Sequence, residues 1–231
     1  MDVKSQLESC DKFMTLKTKR LYMVPQTAEM LDELISKQTD EHLKAAYTEM
    51  LNRVKSHPGK EKWYTNWMIC LNGSGLIIGG ACFKGEPNDN HEVKIGYGIN
   101  QEYQNQGFET EALRAMTNWA FSQPGCYYVQ ALTETVNESS KKVLENNKFK
   151  FIRECNEGLL YELEKPASAW MSIYMCFGLS IGLSFGLMFE NQSAGMCMGL
   201  SVGLLIGSLL DAQDRKSRKR VNNNDDNSET L

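Results

Sequence analysis

The chain is 231 residues long, enough for one full domain and an appendage, and its formal net charge of −4 gives no reason to expect nucleic-acid binding. Hydrophobic residues make up 42% and charged residues 23%, ordinary for a globular protein. Seven cysteines, with no CxxC pair and no clustered histidine, argue against a disulfide framework and a structural zinc site, so no metal is expected and the front of the chain is placed in a reducing cytosol.

Residues Met1 to Phe13 lack the apolar run of a signal peptide. Leu16 to Val24 reads as a first strand, closed by Pro25. From Thr27 to Ser36 the apolar residues Met30, Leu31, Leu34 and Ile35 have helical spacing. A second helix is expected from Asp40 to Val54, with Leu43, Tyr47, Met50 and Leu51 on one face, and His57-Pro58-Gly59 ends it. Trp63 to Leu71 and Leu76 to Phe83 flank the turn Asn72-Gly73-Ser74-Gly75 as a hairpin. In the run from His91 to Ile99, Val93, Ile95, Tyr97 and Ile99 share one face, and Glu92 and Lys94 the other. A helix from Gly107 to Phe121, a strand from Tyr127 to Leu132, a helix from Asn137 to Asn146 and strands from Phe149 to Cys155 and Leu159 to Leu163 complete the front. This order predicts a mixed α/β (α+β) domain over residues 1–165, bounded by Lys165-Pro166.

Beyond the boundary, glycine recurs every fourth residue at Gly178, Gly182 and Gly186, then at Gly195, Gly199, Gly203 and Gly207. Each glycine inside a helix costs about 1 kcal/mol relative to alanine. Close backbone packing of small residues in apolar helices is the compensation expected here. Ala167 to Phe189 is 23 residues without a charge, and Ser193 to Leu210 is 18. As helices they approach the hydrocarbon thickness of about 30 Å. Residues 166–211 are therefore expected to form a glycine-zipper helical hairpin in a lipid bilayer, turning at Glu190-Asn191-Gln192. A second small-residue stripe, Cys176, Ser180 and Ser184, favours a homo-oligomer. The flank from 212 carries Arg215, Lys216, Arg218, Lys219 and Arg220, which by the positive-inside rule puts the front domain in the cytoplasm. Residues 221–231 are polar and expected to be disordered. Two alternatives stand beside this reading: the alternation of large and small residues also matches strands, and the whole chain can be cytoplasmic with a soluble oligomer.

The segment IGYGINQEYQNQGFET, residues 95–110, runs from strand through loop to helix start. Free amides and the helix dipole at such a junction suit an anion such as phosphate, and Gly107 permits close backbone approach, although one glycine before a helix also suits a plain turn. YQNQGFETEAL, followed by NESSKKVLENNKFKF and preceded by LKTKRLYMVPQTAEMLDEL, resembles the GNAT superfamily of acetyl-CoA-dependent N-acetyltransferases, in particular the ribosomal-protein acetyltransferase-like branch. The resemblance covers roughly residues 14–164. It implies a mostly antiparallel twisted sheet flanked by helices, and transfer of acetyl from acetyl-CoA, the co-substrate, to a primary amine acceptor by direct attack in a ternary complex.

The family's loop pattern (Arg or Gln, two residues, Gly, one residue, Gly or Ala) maps onto Gln104, Asn105, Gln106, Gly107, Phe108 and Glu109, with Thr110 following, and these are the coenzyme-binding candidates. Glu109 departs from the small residue. A carboxylate about 6 Å from the expected pyrophosphate is repelled by roughly 3 kcal/mol at an effective dielectric of about 20. The resemblance also sets Asn137 and Ser140 beside the coenzyme's arm, where Asn137 alternatively serves as a helix N-cap. The family's frequent tyrosine acid is Leu144 here, and its usual glycine before the last Phe is Lys148. The backbone amide of Ile99 is the candidate to polarise the thioester carbonyl, and Glu92 is the candidate base, weighed against a plain solvent-facing strand residue. Trp63, Tyr64 and Trp67 line an acceptor cleft or pack in the core. Glu109 and Leu144 leave open a catalytically weak or inactive acyl-CoA-binding module, and the tail leaves open a structural, oligomerising membrane protein.

Overall fold

Residues expected as one opening strand are broken in two, β1 (Leu16–Lys17) pairing back on β2 (Leu21–Pro25). Thr18 makes the turn: its N–H donates to the Leu21 carbonyl at 2.8 Å, and its hydroxyl accepts from the Leu21 N–H at 3.0 Å. This is a computed structural model that describes residues 16–167 and 169–218. The chain divides into two compact units, one ending at Lys165 and one beginning at Pro166.

Helices α1 (Ala28–Lys37) and α2 (Glu41–Ser56) start where a side chain answers otherwise unpaired amides. The Thr27 hydroxyl accepts the Met30 N–H, and the Asp40 carboxylate accepts those of His42 and Leu43. The hairpin of β3 (Asn66–Leu71) and β4 (Ile77–Phe83) turns on Gly73 and Gly75, both at positive φ. Next come β5 (Glu92–Ile99), α3 (Phe108–Ser122), β6 (Tyr128–Thr133), α4 (Glu138–Asn146), β7 (Lys150–Cys155) and β8 (Gly158–Glu164). They complete an eight-stranded sheet of order β1-β2-β3-β4-β5-β6-β8-β7, in which the β5–β6 pair is parallel and the others antiparallel.

The β5–β6 pair positions the site. It runs only from Glu92 opposite Tyr128 to Ile95 opposite Ala131, whereas β5 stays paired with β4 as far as Ile99 opposite Gly79. The sheet therefore opens beyond Ile95. Leu113, Met116 and Ala120 of α3 pack in one core with Val93, Ile95 and Val129. Trp63, Trp67 and Phe83 surround Trp119 with ring centroids 4.6–5.3 Å away. Burying each such side chain contributes about 1.5–3 kcal/mol, so this cluster anchors the sheet to α3.

The second unit is a hairpin of α5 (Trp170–Met188) and α6 (Gln192–Ser217), turning at Glu190 with φ 55°. Its contact face is glycine. A Cβ on Gly182 would overlap the Gly195 carbonyl and lie 2.9 Å from the Gly199 Cα. Large apolar side chains such as Phe177, Phe185 and Leu205 face outward, each more than half exposed. The expectation that the hairpin ends at 211 is corrected, because α6 continues to Ser217. Asp211 accepts the Met171 N–H at the start of α5, and Arg218 pairs with Asp214 at 2.8 Å and donates to the Pro166 carbonyl at 2.9 Å. These contacts stabilise the extra turns at the open end. Lys219, Arg220, segment 221–231 and the stretch Met1 to Phe13 lie outside the described residues.

Candidate active site

The gap beside β5 is lined by backbone groups that the sheet does not use. The Asn100 N–H donates to the Ile78 carbonyl of β4 at 2.7 Å. Groups alternate along a strand, so the N–H and C=O of Ile99 point the other way, into the gap. There the Gln104 side chain donates to the Ile99 carbonyl at 2.9 Å.

The loop between β5 and α3 presents its backbone outward. Asn105 and Gly107 are left-handed, at φ 59° and 78°. Gly107 is the N-cap of α3 and no described side chain caps that helix, which leaves first-turn amides open to an anion. They border a cavity of about 380 Å³ whose lining includes Gln104, Asn105, Gly107, Phe108, Glu109 and Thr110 on one side and Ser139 and Lys142 of α4 on the other. Lys142 supplies a positive charge that the loop pattern did not reveal.

Arg20 holds this loop from behind. It donates to the Gln106 carbonyl at 2.9 Å, lies 4.4 Å over the Phe108 ring and pairs with Glu111 at 2.7 Å. Burial opposes ionisation of Glu111, but hydrogen bonds from the Thr18 hydroxyl, the Arg20 amide and the Arg20 guanidinium together hold its carboxyl below the ordinary value. Stabilisation from a depressed carboxyl is complete above its unfolded value and is lost as pH falls through the lower folded value. Hydrogen bonds to a charged group contribute about 1.5–3 kcal/mol, discounted here for solvent screening. Glu111→Gln is therefore expected to lower unfolding stability by about 1 kcal/mol at neutral pH, and the difference in urea midpoint from wild type should shrink in acid. An unchanged neutral-pH midpoint would remove the anchoring role.

The other expected residues divide. Asn137 is occupied as the N-cap of α4, its side-chain carbonyl accepting the Ser140 N–H at 3.0 Å. The Ser140 hydroxyl lies 3.2 Å from the Tyr97 hydroxyl. Burial pushes the Tyr97 phenol up to about 12, opposed by the Ser140 hydrogen bond and aided by the Glu109 charge. Burial likewise raises the Glu109 carboxyl, offset in part by the Ile99 backbone. Leu144 is fully buried.

Glu92 is not brought to this site. It lies seven residues before Ile99 on β5, a separation of roughly 23 Å in an extended strand, and it contacts Asn88 at 3.2 Å. Trp63 and Trp67 are core residues, and the Tyr64 hydroxyl donates to Glu86 at 3.2 Å. A different set lines the cleft that reaches Ile99 from the α1 side: about 600 Å³ bordered by Glu33, Lys37, Tyr47, Asn66, Gly79 and Gly98, among others. A further depression, about 820 Å³ between β1 and α3, has neither Ile99 nor Glu109 in its lining, whereas Glu109 lines the first of the two smaller spaces and Ile99 the second.

A family model described as an acetyltransferase (GNAT) domain matches residues 14–150. An uncharacterized N-acetyltransferase of Bacillus subtilis is 32% identical over 84 residues, covering 36% of this chain and 50% of that protein. Another, of Bacillus licheniformis, is 27% identical over 107 residues, covering 46% and 57%. The chain thus spans about half the length of the curated relatives it matches. Among solved structures, the ribosomal-protein-S5-alanine acetyltransferase of Vibrio fischeri aligns with a TM-score of 0.52 at 16% identity, covering 66% of this chain and 100% of that one. A ribosomal L7/L12 alpha-N-protein acetyltransferase in complex with coenzyme A aligns at 0.52 and 14% identity, covering 67% and 100%. At these identities the structural likeness bears on the fold alone.

Proposed function

The chain belongs to the acetyltransferase (GNAT) domain family, and from that premise we propose that it transfers the acetyl group of acetyl-CoA to a primary amine by direct attack in a ternary complex. The observation that carries the reading is the Ile99 amide, which faces the gap rather than β4, on a residue that lines the α1-side cleft. A thioester carbonyl placed there would receive a donor of the kind that contributes about 3 kcal/mol to an oxyanion-like transition state. The open amides of α3 and the Lys142 ammonium fit the coenzyme's phosphates, while the Glu109 carboxylate opposes them. Tyr97 stays protonated at neutral pH and borders the gap, so it takes the part of proton donor to the leaving thiolate that Leu144 cannot.

The second unit is proposed to be a glycine-zipper hairpin in a lipid bilayer, with the acetyltransferase domain on the cytoplasmic face. Both helices are long and apolar enough to span. Serine hydroxyls in each helix donate to carbonyls of the same helix, as Ser180 to the Cys176 carbonyl and Ser201 to the Cys197 carbonyl, which suits an environment without water. The outward stripe of Cys176, Ser180 and Ser184 is the proposed homo-oligomer face.

Calorimetric titration of the full-length protein with acetyl-CoA, followed by thiol release with peptides carrying a free α-amine, tests the activity. Binding together with release is the expected result. Binding without release across a broad amine panel would favour an inactive coenzyme-binding module, for which Leu144 and Glu109 speak. Absence of binding would leave the structural reading of the tail.

A further inference from the structure

Inside a strand glycine has more freedom to lose on folding and no side chain to pack, so its presence there often marks a close approach of backbone or ligand. Gly79, Gly80 and Gly98 all line the α1-side cleft together with Ile99. At Gly79 the fold itself demands glycine, because a Cβ would overlap the Gly98 carbonyl of the paired strand. At Gly80 a Cβ would lie 2.7 Å from the Asn66 side-chain oxygen. Gly98 has no such reason. It is exposed, its φ lies outside the left-handed region, and a Cβ on it would meet nothing within 4 Å. Gly80 and Gly98 are direct partners across β4 and β5, so they share one face and leave a bare patch in the cleft. Met30 and Leu34 of α1, Met68 of β3 and Ile77 of β4 bring apolar surface to the same space. The charged residues described in its lining, Glu33 and Lys37, pair with each other one turn apart on α1.

We infer that this bare patch selects the acceptor: Gly98, opposite Gly80, leaves room beside the Ile99 amide for a bulky apolar group on the carbon that bears the reacting amine. This rests on the acetyltransferase reading above and names the acceptor class for that site. The Gly98 Cα is two bonds from the Ile99 nitrogen. An amine that enters through the cleft to reach a carbonyl held on that N–H therefore carries its own substituent past residue 98. The space open there is the space that a side chain would otherwise fill. A group the size of a leucine or phenylalanine side chain, placed in it, takes its own apolar surface and that of the cleft walls out of water, which a hydrogen or a methyl group cannot do. The Glu33–Lys37 pair balances its own charge and so gives an ionic substituent no advantage. A peptide with a free α-amine on leucine or phenylalanine fits this cleft better than one that begins with glycine or alanine.

The experiment compares full-length wild type, Gly98→Ala and Gly98→Val in detergent. It reads acetyl-CoA affinity by calorimetry, and thiol release with peptides that differ only in a first residue of glycine, alanine, leucine or phenylalanine. Wild type should favour leucine and phenylalanine over glycine by about 10-fold or more in kcat/KM. Gly98→Val should still bind acetyl-CoA, because Gly98 is not among the described residues lining the cavity that fits the coenzyme's phosphates, and that binding also shows that the variant is folded. Its preference for the large residues should fall by about 10-fold or more, in KM rather than kcat, and Gly98→Ala should lose part of it in the same direction. A wild type that favours glycine, or a Gly98→Val variant that keeps the wild-type preference, would overturn the inference. A wild type that binds no acetyl-CoA, or binds it and releases no thiol with any peptide, would instead remove the proposed function on which the inference rests.

Discussion

Gly107→Val is expected to abolish measurable acetyl-CoA binding while the domain remains folded. Gly107 has φ 78°, a conformation that a β-branched residue adopts only at a cost of about 1–3 kcal/mol. A Cβ there would meet the Arg20 guanidinium in ordinary contact at 3.4 Å, and valine's two methyls would crowd a group that also holds the Gln106 carbonyl and Glu111. Relief comes if residue 107 leaves the left-handed region, which re-aims the amides on either side of it. A phosphate that depends on several of those amides then loses them together, a reduction of at least about 100-fold, or about 2.7 kcal/mol. Calorimetry with acetyl-CoA measures the loss, and a thermal melt checks the fold. Affinity equal to wild type would show that the loop does not bind the coenzyme.

The contrast between Gly107 and Arg20 shows what the sequence discloses. Gly107 sits in a local pattern whose backbone demand is legible from its neighbours. Arg20 reaches the same loop from 86 positions away, and no periodicity or motif marks it. Elements were legible for the same local reason: Thr27, Asp40 and Asn137 cap the helices they precede, and Val93, Ile95 and Ile99 turn one face of β5 into the core. Thr18 hid a turn inside an apolar run, so one expected strand became two. Glu92 illustrates the reverse case. It shares a strand with Ile99, but the two residues are the opposite ends of β5, which sets Glu92 far from the gap. The reach of Tyr97 to Ser140 depends on where β6 leaves β5, which is a property of the assembled sheet. Lys148 keeps a left-handed φ of 65° where the family usually has glycine, so the turn before β7 survives the substitution that made the sequence look divergent.

Full-length protein is expected to sediment with membranes and resist carbonate extraction, whereas a chain ending at Lys165 should remain in the supernatant. The second unit is apolar outside and glycine inside, the reverse of a helix pair that buries its large side chains. In water such a pair leaves Phe177, Phe185, Leu205 and their neighbours exposed, each forfeiting about 1.5–3 kcal/mol of possible burial. In a bilayer those side chains are solvated by lipid, and close backbone approach becomes the source of pairing. Gly182→Leu with Gly199→Leu separates these contributions. Leucine at either position meets backbone across the interface, near the Gly199 Cα in one case and the Gly182 Cα in the other, so the helices must move apart. The substitutions also raise hydrophobicity. Membrane association should therefore persist while cross-linking between helices, and the oligomers that depend on the hairpin's shape, diminish. A full-length protein that is soluble and monomeric without detergent would contradict both the bilayer and the assembly. Soluble oligomers would place the outward Phe and Leu residues against one another, making the glycine-lined pair a building block of an assembly in water.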